Sequence, residues 1–324
     1  MTQRPLPSTT ARQRLIDWYH EHHRALPWRE TRDPYRILVS EIMLQQTQAE
    51  RVVPKYHEFL ARFPTLAALA DAPAGEVIRA WSGLGYNRRA LNLQRACRVV
   101  AEEYGGVMPS DPGVLAKLPG IGPYTAGAVA CFAFEADVGF VDTNIRRVIH
   151  RVVAGPELPE PAMTEREVIE VARELVPAGQ GYVWNQALME LGATVCRTRM
   201  AECARCPLER DCRARPLVQL VLATMPRSVA KKPERFESSN RYYRGRIVAA
   251  LRESPDGVSL RDLGLALKPD FDDADADWVI GHVVGLVRDG LAVRGVATSA
   301  GAREDSPAYD AGESELDELI RLPD

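Results

Sequence analysis

The sequence of 324 residues contains no apolar run approaching the length that spans a bilayer, and it opens without a secretory signal. On that reading a membrane class and a secreted class are both excluded, and a cytoplasmic protein is expected. Cysteine is scarce, with six in the chain, and in a cytoplasmic protein these are poor material for a disulfide framework. Strand-type alternation is nearly missing from residues 10–216, where short helical patterns follow one another between Pro and Gly breaks. An all-α fold is the expectation. What is present is length for two or three domains, with enough apolar content for real cores. The net charge of −3 is unevenly spread: residues 251–324 hold 7 Lys and Arg against 17 Asp and Glu, and residues 1–250 hold 34 against 27. A polyanion partner suits the basic three-quarters and not the acidic remainder.

The opening stretch, MTQRPLPSTTARQR, reads as a short disordered lead-in to a helix. Asp33-Pro34 marks another helix start, a capping residue followed by Pro in the first turn. Apolar helical periodicity returns at 91–101, 126–134, 145–153, 168–176 and 184–191. Residues 217–242 have the Lys, Pro and Ser content of a linker. A small unit at 243–297 follows, with helical patterns at 243–252, 260–267 and 277–289 and a strand-like 291–294, an order that suits a winged-helix module. From residue 298 the acidic tail is expected to be disordered.

Cys196, Cys203, Cys206 and Cys212 fall in one short stretch with the spacing C-x6-C-x2-C-x5-C. Four thiolates in one loop can close around a single centre. Structural zinc usually pairs two C-x2-C knuckles, and only one is present here, so an iron–sulfur cluster is the better match and zinc the competitor. Cys97 and Cys131 sit in apolar helical patterns and read as core.

The segment L-P-G-I-G-P-Y-T-A, residues 118–126, joins two helical patterns through a tight turn. Gly120 and Gly122 let the backbone turn sharply and approach a partner, and the N–H groups of the next helix would face a phosphate. A plain helix–turn–helix connection is the alternative for an isolated G-x-G; the longer motif resembles the helix–hairpin–helix that anchors many DNA repair proteins.

Glu41 lies on the apolar stripe of Ile37, Leu38 and Leu44. Burial disfavours its charged form, which would make it a proton donor near neutral pH; a buried glutamate paired with an arginine is the alternative. Asp142 precedes the 145–153 helix, and a helix cap is the plain reading. A helix N-terminus also keeps a carboxylate ionised. A protonated Glu with an ionised Asp is the pair that glycosidic cleavage needs.

In chain order, Glu41, the hairpin, Asp142 and the four cysteines make residues 12–216 similar to the helix–hairpin–helix DNA glycosylases. The runs L-P-W-R at 26–29, S-E-I-M-L-Q-Q-T-Q at 40–48, G-L-G-Y at 83–86, V-D-T-N-I-R-R-V at 141–148 and N-Q-A-L-M-E-L-G-A-T-V-C at 185–196 resemble the adenine DNA glycosylase (MutY) family. The resemblance implies two helical lobes: a six-helix lobe at 26–137 bearing the hairpin, and a lobe at 138–216 bearing a 4Fe-4S cluster and joined by the N-terminal segment and helix, 1–25. It implies double-stranded DNA with a mismatch or oxidised base as partner, a monomer, and a nucleoid-associated place in the cell. The target base would be flipped out of the duplex. Glu41 would protonate adenine and Asp142 stabilise the sugar cation, with Asn144 and Tyr124 positioning them. Arg24, Trp28, Arg29, Leu44 and Gln186 would line the base pocket; Trp28 and Leu44 read alternatively as core, and the arginines as surface charges. Gln46 and Tyr86 would push into the duplex beside the opposing base. Strand-cutting relatives carry lysine where Tyr124 stands, so the reaction implied is monofunctional: hydrolysis of the N-glycosidic bond of adenine opposite 8-oxoguanine or guanine. A G:T or G:U mismatch glycosylase on the same scaffold is one rival, and a non-catalytic DNA-binding iron–sulfur protein the other.

Two features depart from that family. Residues 217–324 lack the alternating strands of the NUDIX-like domain that usually reads 8-oxoguanine, and Asn87 stands where many members have a second tyrosine.

Overall fold

The computed structural model describes residues 6–158, 160–224, 239–295 and 315–324. In chain order the helices are α1 Thr9–His22, α2 Pro34–Leu44, α3 Ala49–Arg62, α4 Leu66–Asp71, α5 Ala74–Ala80, α6 Arg88–Glu103, α7 Pro112–Leu115, α8 Pro123–Phe134, α9 Thr143–Val153, α10 Glu165–Leu175 and α11 Gly181–Thr194. They continue with α12 Val218–Thr224, α13 Asn240–Glu253, α14 Leu260–Leu267 and α15 Ala276–Arg288, the last three interleaved with strands β1 Val258–Ser259, β2 Val293–Gly295 and β3 Leu319–Arg321. Among the described residues before 258 the all-α expectation holds, with one isolated β-bridge between Cys196 and Ala201. Among the described residues no helix is long and apolar enough to cross a membrane.

The chain forms two compact units, residues 1–45 with 107–229, and residues 46–106 with 230–324. This division differs from the expected lobes, 1–25 with 138–216 and 26–137, and from a separate unit at 243–297. The reason is packing. In the first unit α2 lies against α8, α7 against α8, and both α1 and α9 against α11, which joins residues 34–44 and the hairpin to the cysteine-bearing half. In the second unit Ile78 and Leu91, from α5 and α6, share one apolar core with Ile247, Leu251, Val283 and Ile320.

In the first unit the helices start as their sequences dictate. Ser8 caps α1 by accepting from the Ala11 N–H, so the ordered chain begins earlier than the expected lead-in allowed. Asp33 caps α2, accepting from the N–H groups of Tyr35 and Arg36, and Pro34 fills the first turn. Helix α8 is apolar almost all round and is buried from Thr125 to Phe132. It meets Phe140 at Gly127, where an added Cβ would come within 2.8 Å of the Phe140 Cβ.

In the second unit α13, β1, α14, α15, β2 and β3 follow in that order, and the antiparallel sheet has the order β1-β3-β2. This is the connectivity of a winged helix. The expected strand at 291–294 is β2, shifted to Val293–Gly295. The expected disordered tail is corrected in part: residues 296–314 lie outside the described ones, but β3 is the central strand of the sheet, with Ile320 fully buried. Beyond it the carbonyls of Pro323 and Asp324 accept from the N–H groups of Gly75 and Ala74 at 2.7 and 3.2 Å, closing the start of α5. Within the expected linker, α12 occupies Val218–Thr224, α13 starts at Asn240, and residues 225–238 lie outside the described ones.

Candidate active site

Helix α2 presents Glu41 inward as the apolar stripe required. The residue is 3% exposed, and its Oε2 has no hydrogen-bond partner among the described residues. The Tyr124 hydroxyl, from the first turn of α8, hydrogen-bonds the carboxyl. Burial is the main influence, pushing Glu41 up to about 7; the Tyr124 bond opposes it and the Asp142 charge adds to it. Among the described residues no arginine pairs with Glu41, against the alternative reading.

Asp142 caps α9, accepting from the Ile145 N–H at 2.6 Å, so the plain reading of this residue is realised. Its second oxygen accepts from the Asn144 amide at 2.9 Å. Burial raises the Asp142 carboxyl above its ordinary value, against the hydrogen bonds from Ile145 and Asn144 and the Arg147 charge. The helix N-terminus therefore does not keep this group at its usual acidity, a difference from expectation caused by desolvation. The two carboxyls are still unlike: Asp142 has several stabilising donors, and Glu41 has one. Tyr124 lies against Phe140 with ring centroids 5.5 Å apart, and burial lifts its hydroxyl well above the ordinary value.

Arg147 was not singled out from the sequence. It is buried, and it donates to the Asn144 side-chain oxygen at 2.8 Å, the Gly192 carbonyl at 2.7 Å and the Cys196 carbonyl at 2.6 Å. Glycine at 192 is required because a Cβ there would come within 2.6 Å of the Asn144 Cβ.

The expected pocket residues form a second polar cluster around another residue that escaped the sequence reading. Glu190 on α11 is fully buried and accepts from Arg24 Nε at 2.8 Å and from the Arg29 guanidinium at 2.7 Å. Burial pulls its carboxyl upward, but the bonds and charges of the two arginines more than offset this and hold it below the usual range. Arg29 also donates to Gln186 Oε1 at 3.0 Å. Arg29 is thus not a surface charge, whereas Arg24 keeps 37% of its side chain exposed while it pairs with Glu190. Trp28 is buried in a short turn of 3-10 helix, and Leu44, one turn beyond Glu41, is half-buried.

At the hairpin, Gly120 has a left-handed φ of 73°, and Gly122 caps α8 without a side chain. Both are exposed, with open space where a Cβ at Gly122 would stand. Gln46 and Tyr86 belong to the second unit; both are exposed and have positive φ, 57° and 46°.

Cys196, Cys203, Cys206 and Cys212 are free thiols that line one cavity, walled by Val148, Arg151 and Leu191 among others. Among the described residues no three or more His, Cys, Asp or Glu side chains surround a single metal-ion position. Burial pushes Cys206 up to about 12 and Cys212 up to about 11, and each is raised further by the neighbouring cysteines. Arg151 donates to Cys196 Sγ at 3.5 Å. Sulfur donors that repel one another in a cavity bordered by a guanidinium fit a cationic iron–sulfur centre. Cys97 and Cys131 are fully buried core residues, as expected.

A helix–hairpin–helix joined to a buried acid, a helix-capping aspartate and a four-cysteine loop defines a class of base-excision proteins. Residues 39–174 match the HhH-GPD superfamily of base excision DNA repair proteins. The chain is 45% identical to the adenine DNA glycosylase of Mycolicibacterium smegmatis, over 77% of this chain and 83% of that one. It is 40% identical to the adenine DNA glycosylase of Mycobacterium tuberculosis, over 81% and 86%. The structure of a thermostable thymine-DNA glycosylase aligns with a TM-score of 0.59 at 32% identity, covering 63% of this chain and 94% of that one. The chain belongs to the adenine DNA glycosylase family.

Proposed function

We propose that the protein is a monofunctional glycosylase of base excision repair that removes adenine mispaired with 8-oxoguanine or guanine in double-stranded DNA. The observation that supports this best is the pairing of a buried, weakly acidic Glu41 with the more heavily bonded Asp142, in a chain 45% identical to a named adenine DNA glycosylase. Glu41 delivers its proton to a ring nitrogen of the flipped base, so that the N-glycosidic bond breaks with adenine leaving neutral. Asp142, held by Ile145 and Asn144, stabilises the positive charge on the sugar. Water then adds its hydroxide to the anomeric carbon, and its remaining proton restores Glu41. Tyr124 orients Glu41. The absence of an amine at position 124 leaves no group there for a Schiff base, so the strand is not cut.

Arg24, Trp28, Arg29, Leu44 and Gln186 shape the base pocket, with Glu190 fixing both arginines. Gly120 and Gly122 offer backbone N–H groups to a phosphate. Gln46 and Tyr86 enter the duplex beside the opposing base. Cys196, Cys203, Cys206 and Cys212 hold a 4Fe-4S cluster, which when bound ties residues 196–212 into one rigid loop. The protein acts as a monomer on nucleoid DNA.

The test is a panel of duplexes carrying 8-oxoG:A, G:A, G:T or G:U, with alkali cleavage after incubation. Abasic sites are expected only opposite 8-oxoguanine and guanine in the adenine duplexes; product from the pyrimidine mismatches alone sinks the assignment. Asp142→Asn is expected to abolish product while sparing DNA affinity, and borohydride is expected to trap no covalent complex.

A further inference from the structure

We propose that the winged helix is a brace for the opposing-base wedge, with Arg241 and Arg252 of α13 as positioning residues that hold the turn presenting Tyr86. This rests on the reading of Tyr86 given above. Residues 83–87 make an unusual turn: Gly83, Gly85 and Tyr86 all have left-handed φ, at 87°, 70° and 46°. For a tyrosine that conformation is unfavourable, so the surroundings must enforce it.

Three side chains of the turn's own neighbourhood hold its backbone: Arg51 donates to the Gly83 carbonyl, and Trp81 and Arg89 bond further along, Arg89 also setting its guanidinium 5.4 Å from the centre of the Tyr86 ring. Trp81 Nε1 donates to the Gly85 carbonyl at 3.1 Å, and Arg89 donates to the carbonyls of Leu84 and Gly85 at 3.1 and 3.3 Å. The winged helix supplies the rest. Arg241, in the first turn of α13, sets its guanidinium 4.0 Å from the centre of the Tyr86 ring. Arg252, in the last turn, donates to the Ile78 carbonyl at 3.0 Å and to Asn87 Oδ1 at 2.9 Å. One helix therefore grips both ends of the Tyr86–Asn87 pair. The shared core of Ile78, Leu91, Ile247 and Leu251 fixes α13 against α5 and α6.

The charge of the winged helix argues against a role as a DNA reader in its own right. Its described residues, 239–295 and 315–324, hold 9 Lys and Arg against 13 Asp and Glu, and the first turn of α15 carries Asp277. Arg241 and Arg252 of α13 reach the turn instead, while Arg244 pairs with Asp289 and Arg246 donates to the Ala266 carbonyl; Tyr86, 42% exposed, is the group left to meet the duplex.

The experiment uses the full chain and duplexes with 2-aminopurine beside the base opposite adenine, whose fluorescence rises when the wedge unstacks it. Arg241→Ala is expected to reduce that rise about three- to ten-fold, the range of a partly exposed cation–π contact. Arg241→Lys is expected to recover part of the rise, and Arg252→Gln to reduce it as well, with melting temperature monitored for each. In a Tyr86→Ala background the further change Arg241→Ala is expected to have no effect. An equal loss in both backgrounds would make Arg241 a phosphate contact and overturn the brace, as would an undiminished rise in Arg241→Ala. Adenine release by the unaltered chain on the same duplexes tests the glycosylase reading separately, because wedge insertion is read without turnover.

Discussion

Arg147 fastens Asn144 to the loop of Cys196: one guanidinium donates to the Asn144 side-chain oxygen at 2.8 Å and to the Cys196 carbonyl at 2.6 Å. Asn144 in turn holds Asp142. Lysine has the charge of arginine but not its fork. Arg147→Lys is expected to slow single-turnover adenine release about 10- to 100-fold, the usual cost of losing a supporting partner at a site. Visible absorbance per chain would show whether the cluster loop loosens at the same time. Full activity in this variant would disconnect the two regions.

In the proposed mechanism Glu41 must be neutral to act. With Glu41 raised to about 7, adenine release is expected to be level below that value for as long as Asp142 stays ionised, and to fall as pH rises through it. A flat rate profile from about pH 6 to 9 would remove Glu41 from this role.

The same group sets a stability trend of definite sign. Between its unfolded value near 4.5 and its folded value of about 7, the folded chain keeps a proton that the unfolded chain releases. Stability therefore declines as pH rises through that window, by a total of roughly 3 kcal/mol. Glu41→Gln cannot ionise, so it is expected to be inactive, yet more resistant to urea than the parent at pH 8 and similar to it at pH 4.

Gly192 tests the approach of α11 to α9. Gly192→Ala gains helix propensity of up to about 1 kcal/mol, but its Cβ would come within 2.6 Å of Asn144 Cβ and 3.1 Å of the Asn144 Cα. Overpacking of this kind costs about 1–3 kcal/mol. The variant is expected to be slightly less stable in urea and to lose far more activity than stability, since Asn144 is the atom group displaced. Unchanged turnover would show that the site tolerates the shift.

Glu190 is the shared anchor of Arg24 and Arg29, and Arg29 retains only 8% of its side-chain exposure. Glu190→Ala leaves a buried guanidinium unpaired and is expected to cost about 3–5 kcal/mol in urea denaturation. Because the arginines hold its carboxyl below the usual range, its contribution is present at neutral pH and lost as pH falls through the folded value. A loss below about 1 kcal/mol would mean that water replaces the carboxylate without penalty.

Glu41 and Asp142 were legible in the sequence because each obeys a local rule, one a position on an apolar stripe and the other a helix cap. The four cysteines were legible by spacing, and the hairpin by its glycines. Arg147 and Glu190 were not, because their partners are remote in sequence: Glu190 meets Arg24 across 166 positions and Arg147 meets Cys196 across 49. An unpaired glutamate between Leu188 and Leu191 was the one available signal for Glu190. Strands β1 and β3 span two and three residues, too short to show alternation, and β3 follows an acidic stretch that resembles a disordered tail. The unit boundary was missed for a related reason. Ile78 and Leu91 look like ordinary helix-face residues until the core partners near 247 and 320 are known.

The central position of β3 bears on how the chain is made. Ile78 and Leu91 leave the ribosome long before Ile320, and the first unit's residues 107–229 are synthesised in between. The second unit therefore cannot close co-translationally as a single block; its first half waits, with apolar faces uncovered, for a strand made long after it. Ribosomes stalled shortly before that strand would hold a chain in which Glu41 and Asp142 are already made and the half that bears Tyr86 is still open.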